Sequence, residues 1–171
     1  MSNALSNKRD LIGLLDSLLA PHAFIRVKDD WYLDNQECIA VCGLGKSLYG
    51  GQFSIAIAFL LKELNPELLP YPPFHLCHFR QASQFIVPDQ DALKAALNLE
   101  NDVDAAKRKD VISLTVNQFA VPLIVRLNSK SIIAHEFKTN ENFAPYCNLD
   151  LKLALKRGGY LNTEDLKLDF D

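Results

Sequence analysis

Between Phe24 and Leu61 the chain sets short apolar runs next to one another with polar breaks only a few residues long, and that spacing dictates how its strands can pair. Phe24-Ile25-Arg26-Val27 is followed by Lys28-Asp29-Asp30, then Trp31-Tyr32-Leu33, then Asp34-Asn35-Gln36. Cys38-Ile39-Ala40-Val41-Cys42 comes next, and Leu48-Tyr49-Gly50-Gly51 breaks the chain before a long run from Gln52 to Leu61. A parallel pairing needs a crossover of about a dozen residues or more, and breaks this short permit only hairpins. The segment therefore predicts an antiparallel meander of about four to five strands.

In the last run Phe53, Ile55, Ile57 and Phe59 point to one face, and Ser54, Ala56 and Ala58 to the other. One face should be heavily buried. The small residues leave the second partly covered, with room for a helix.

Helices flank this meander. Leu11, Ile12, Leu14, Leu15, Leu18 and Leu19 recur at helical spacing until Pro21 stops them. Pro66, Pro70, Pro72 and Pro73 then exclude regular structure over a stretch that reads as a long loop within the domain. Phe74 to Arg80 is expected to be a further strand, and Pro88-Asp89 to open a helix through Ala92, Leu93, Ala95, Ala96 and Leu97. A helix from Asp104 to Phe119 should be bent or ended by Pro122, and a last one from Leu149 to Arg157 stopped by Gly158-Gly159. Residues 1–171 thus read as a single α+β domain, an antiparallel sheet packed against an N-terminal helix and C-terminal helices.

Charge narrows the partners. The net charge is −3, with 7 Lys and Arg against 8 Asp and Glu in residues 1–86 and 11 against 13 in residues 87–171. Neither half is basic, so nucleic acid is not expected as a partner. The longest dense apolar run, Phe53 to Leu61, is about half of what a membrane span requires, so no membrane is expected either. Met1-Ser2-Asn3-Ala4-Leu5 lacks the basic and apolar regions of a secretory signal. The expectation is a cytoplasmic protein whose Cys38, Cys42, Cys77 and Cys147 are reduced, buried thiols.

The most tempting catalytic string is Ala40-Val41-Cys42-Gly43-Leu44-Gly45-Lys46-Ser47, a relaxed phosphate-binding loop. In such a loop Lys46 would reach the terminal phosphates and Ser47 would ligate magnesium. The helix that must follow is missing, because Tyr49-Gly50-Gly51 breaks its first turn and an alternating strand comes after. A nucleotide-binding enzyme using Lys46 and Ser47 is therefore the alternative, not the leading reading. A zinc site from Cys38, Cys42, His75, Cys77 and His78 lacks the tight knuckle of structural zinc sites, and no metal or other cofactor is expected. Cys77 and His78 adjoin, yet neighbours in a strand point to opposite faces, which argues against a thiolate–imidazole pair. Asp29-Asp30, Thr163-Glu164-Asp165 and the terminal Asp169-Phe170-Asp171 read as solvated acidic turns and tail.

Trp31, Tyr32, Lys46, Ser47, Tyr49 and Arg80 remain as candidate binding residues, since aromatics and long cations near hairpin ends suit a recognition surface. Set against that, Trp31 and Tyr32 straddle the pleat, one of them buried.

The order of features from Leu18-Leu19-Ala20-Pro21-His22-Ala23-Phe24 through the Trp31-Tyr32 strand, the strand ending in Lys46-Ser47 and the Phe53-Ser54-Ile55-Ala56-Ile57 strand resembles the bacterial domain-of-unknown-function 4304 family. That family shows a Gln-Lys-Ser at the end of its strand, where this chain departs with Gly45, and often an arginine where His78-Phe79-Arg80 sits. Lys46, Ser47 and Arg80 are the matching positions. The resemblance covers about the first 85 residues, implies that Gly45-Lys46-Ser47 is a strand end, and carries no catalytic residue over. Small bacterial proteins of this general type include immunity proteins against secreted toxins, an analogy of class. The expectation is a non-enzymatic binding protein whose partner is another protein such as a toxin. A homo-oligomeric structural module is the third reading.

Overall fold

The structure, a computed structural model, describes residues 5–48 and 50–166. Helix α1 spans Lys8–Leu19 and begins at Asn7, whose side chain accepts the Asp10 N–H at 3.0 Å. It buries Leu11, Leu14, Leu15 and Leu19. Pro21 ends it in a 3₁₀ turn, and Ala23, at φ 64°, turns the chain into the sheet.

Five strands follow: β1 (Ile25–Val27), β2 (Asp30–Asn35), β3 (Cys38–Lys46), β4 (Phe53–Leu61) and β5 (Phe79–Ala82). They lie in the order β1-β2-β3-β4-β5, every pair antiparallel, as short connections demand. Central β3 is buried over its first seven residues because both faces of the sheet are covered there.

One face carries Trp31, Cys42, Ile55, Ile57, Phe59 and Phe79 against the helices. The other carries Tyr32, Ile39, Val41, Ala58 and Leu60, with Cys77 buried among them and Leu68 and Phe74 against it. The cover on this second face is thus the proline-rich segment, where the small residues predicted a helix. Its 3₁₀ turns, Pro66–Leu68 and Phe74–Leu76, lay apolar side chains on the sheet without requiring sheet hydrogen bonds from prolines. For the same reason the strand expected over Phe74 to Arg80 starts only at Phe79.

The helical half comprises α2 (Gln90–Leu97), α3 (Ala105–Leu114), α4 (Val121–Arg126), α5 (Lys130–Thr139) and α6 (Leu149–Arg157). Asp89, Asp104 and Asn148 cap α2, α3 and α6 through their side chains. Pro122 does not end the helix that precedes it. Residues Thr115–Ala120 widen into a π-helical stretch joining α3 to α4, and Pro122 falls in the first turn of α4. The wider turn relieves the contact between a proline ring and the carbonyl four residues before it.

Helix α5 was not expected from the sequence. Its first N–H, at Lys130, donates to the Glu37 carboxylate at 2.7 Å, a cap supplied by the distant β2–β3 turn. The Asn35 amide donates to the carbonyls of Ile124 and Val125 at the end of α4, so the same turn secures both helix ends. Among the described residues no single helix is long and apolar enough to cross a membrane.

Candidate functional site

Lys46 closes β3, exposed and in register with Phe53, and the Ser47 N–H donates to the Gln52 carbonyl at 2.9 Å. The chain doubles back here and starts no helix. The phosphate-loop geometry is absent from this segment: Gly43 and Gly45 stand opposite Ala56 and Ser54 in the β3–β4 ladder. Gly43 serves packing, since a Cβ there would meet Asp30 Oδ1 at 2.9 Å and the Phe74 ring at 3.0 Å. Burial raises the Asp30 carboxyl above its ordinary range.

The structure does not bring the other candidate binding residues together. Trp31 is 1% exposed, under α1, and its Nε1 donates to Asp16 Oδ1 at 2.8 Å. Tyr32 is buried on the opposite face, edge-on to Tyr71 with ring centroids 5.2 Å apart. Arg80 is exposed on β5, its Nη1 donating to the His75 carbonyl at 3.0 Å. Tyr49 lies outside the described residues, as does the Asp169-Phe170-Asp171 tail.

The four thiols are separated by the sheet. Cys38, Cys42 and Cys147 belong to the helix-facing core and Cys77 to the opposite one. Desolvation pushes each of them up to about 12. A thiol held so high supplies almost no thiolate near neutrality. Among the described residues no group of His, Cys, Asp and Glu is arranged to hold a metal ion. His78 has a structural position instead: its Nδ1 accepts the Leu61 N–H at 2.9 Å, and its Nε2 lies 3.0 Å from Asn65 Oδ1. An imidazole that accepts at Nδ1 and donates at Nε2 is neutral, and burial accordingly holds its pKa below the ordinary value.

A cleft of about 420 Å³ opens beside β5, and its lining comes from three separated stretches of chain. Gln81, Phe85 and Ile86 come from β5 and the turn after it; Gln118, Phe119, Pro122, Leu123 and Arg126 from the π-helical stretch and α4; Asn140, Asn142 and Phe143 from the end of α5. Phe143 stacks on Phe79 at 4.7 Å, and Phe79 on Phe59 at 5.2 Å, so the apolar floor continues into the core. Offset stacks of this kind hold their rings in place.

The polar lining is unusual in kind. Gln81 sits opposite Ile57 on the core-facing side of β5 and is only 5% exposed. Among the described residues its carboxamide has no hydrogen-bond partner, and it lines the cleft. Gln118, Asn140 and Asn142 add three more carboxamides at more exposed positions. Arg126, the one charged side chain in the lining, places its Nη2 2.6 Å from Glu136 Oε1, and Glu136 is 7% exposed.

None of these cleft residues was singled out from the sequence. One signal was available: the alternation Phe79, Gln81 puts a glutamine where the strand period places a core side chain.

The model of a family described as a domain of unknown function (DUF4304) matches residues 15–126. The match runs past the first 85 residues and takes in Gln81, Gln118 and Arg126 but not Asn140, Asn142 or Phe143. No curated protein and no solved structure matches the chain.

Proposed function

The chain belongs to the DUF4304 family of domains of unknown function, and on that premise we propose that it is a non-catalytic binding protein whose site is the cleft beside β5. The observation that carries this is the lining itself. It combines apolar rings with carboxamides, and its one charged group, Arg126, is already paired. Carboxamides orient a ligand by hydrogen bonds but do not exchange protons near neutrality, and the lining offers no nucleophile. A mostly apolar concavity with a few convergent polar groups is the usual form of a ligand site.

Titration of isotope-labelled protein with indole, followed by amide resonances, tests the reading. Shifts should gather at residues 81, 118–123 and 143, and Leu123→Trp, which fills the space, should remove them. An unperturbed cleft at millimolar indole would refute it.

A second reading keeps the partner expected from the sequence, another protein, in the manner of a cytoplasmic immunity protein that covers a toxin. Leu149 and Leu153 support it, because they stand four apart on one face of α6 and are 51% and 37% exposed. Stoichiometric capture of a toxin whose activity the chain then inhibits supports this reading. Capture unaffected by Leu149→Lys with Leu153→Lys counts against that face.

A further inference from the structure

Resting on the cleft as a binding site, we infer that its occupant is an uncharged planar ring with a hydrogen-bond donor and acceptor side by side, of the cyclic-amide or nucleobase class, recognised by the Gln81 carboxamide.

Gln81 is the reason. A leucine at this place in β5 would bury against the Phe79, Phe143 floor without cost, yet the chain places a carboxamide there. With no partner among the described residues, that group faces a desolvation cost of about 1–3 kcal/mol that only something entering the cleft can relieve. A carboxamide presents one acceptor and a donor in a common plane. Its complement is a ligand edge that presents the reverse pair, so that two parallel hydrogen bonds form. Glutamine reads an adenine edge in this way.

The walls select the rest of the molecule. Phe85, Phe119 and Phe143 offer ring faces and edges suited to a flat, apolar-faced group. The volume of about 420 Å³ lies within the range of small-molecule sites. Charge argues for neutrality: an anion would have to draw Arg126 away from Glu136, leaving a nearly buried carboxylate unpaired. The π-helical stretch brings Gln118 and Phe119 to the cleft wall, and such widened turns recur at functional sites.

Three related probes decide the matter: isoquinolin-1(2H)-one, its N-methyl derivative and isoquinoline-1-carboxylate, each titrated into labelled protein. The cyclic amide should shift the Gln81 side-chain amide signals and bind about tenfold or more tightly than the N-methyl compound, which lacks the donor. In Gln81→Leu, checked for folding by its amide spectrum, that difference should vanish; the wild-type comparison decides even if this variant does not fold. Equal binding of the first two, or tightest binding of the carboxylate, overturns the ligand class while leaving the cleft a site. No cleft shift with any of the three overturns both.

Discussion

Arg108 Nη1 donates to the Asn98 carbonyl at 2.7 Å, and the same guanidinium reaches Ala96 O at 2.8 Å and Asn101 O at 2.9 Å. Arg108 is 3% exposed, and in this position it collects the carbonyls that α2 leaves open at its C-terminal end. A fixed fork of donors suits three acceptors fanned across a turn; an ammonium does not. The arginine therefore joins α2 to α3 and holds the loop between them. Arg108→Met should lower unfolding stability by roughly 2–4 kcal/mol, with Arg108→Lys recovering only a minor part. Urea denaturation of the three proteins checks this.

His78 makes stability depend on pH. Burial holds its pKa below the ordinary 6.5, with Asp150 opposing the shift. Because the folded value is depressed, the native state binds fewer protons than the unfolded chain between that value and 6.5. The contribution is present in full above 6.5 and is lost as pH falls through the folded value, when protonation removes the acceptor that meets the Leu61 N–H. Wild-type denaturation midpoints should fall between about pH 7.5 and about pH 5, and His78→Gln should flatten that dependence.

Magnesium-ATP should not raise the melting temperature, since the Gly43–Ser47 backbone lies in and beside the β3–β4 ladder and no helix N-terminus follows. Lys46→Ala, at an exposed strand end, should melt within about 0.5 kcal/mol of wild type. A dose-dependent rise with ATP that Lys46→Ala abolishes would restore the nucleotide reading.

The thiols should be inert in the native protein. With Cys38, Cys42, Cys77 and Cys147 buried and each pushed up to about 12, a thiol reagent at mildly alkaline pH should report no rapid reaction until denaturant is added. Rapid modification of any one of them in folded protein would contradict the burial described.

Gly43→Ala should cost about 1–3 kcal/mol, because the new methyl group must displace the Phe74 ring and Asp30. Thermal melts check it, and Phe74→Leu should soften the effect by making room.

Much of the sheet was legible because its information is local. The tight breaks after Val27, Leu33 and Ser47 allow nothing but hairpins, and the Phe53, Ile55, Ile57, Phe59 alternation names the face that meets the helices. The opening helix was equally plain, since Asn7 caps it and Pro21 stops it within one stretch of chain. The candidate site was not legible. Aromatic and cationic residues drew attention at Trp31, Tyr32, Lys46 and Arg80, whereas the cleft is lined by carboxamides whose composition carries no signal of its own.

By itself, then, the sequence determined the antiparallel order of the strands and the position of the first helix, because neighbouring residues impose both through chain length and side-chain period. Tertiary structure alone decided that α5 begins against Glu37, that the proline-rich segment rather than a helix covers the second face, and that Gln81 meets Phe119 and Phe143 around one cleft. Those outcomes depend on contacts between segments tens of residues apart. Such contacts arise only when the helical half packs onto the sheet.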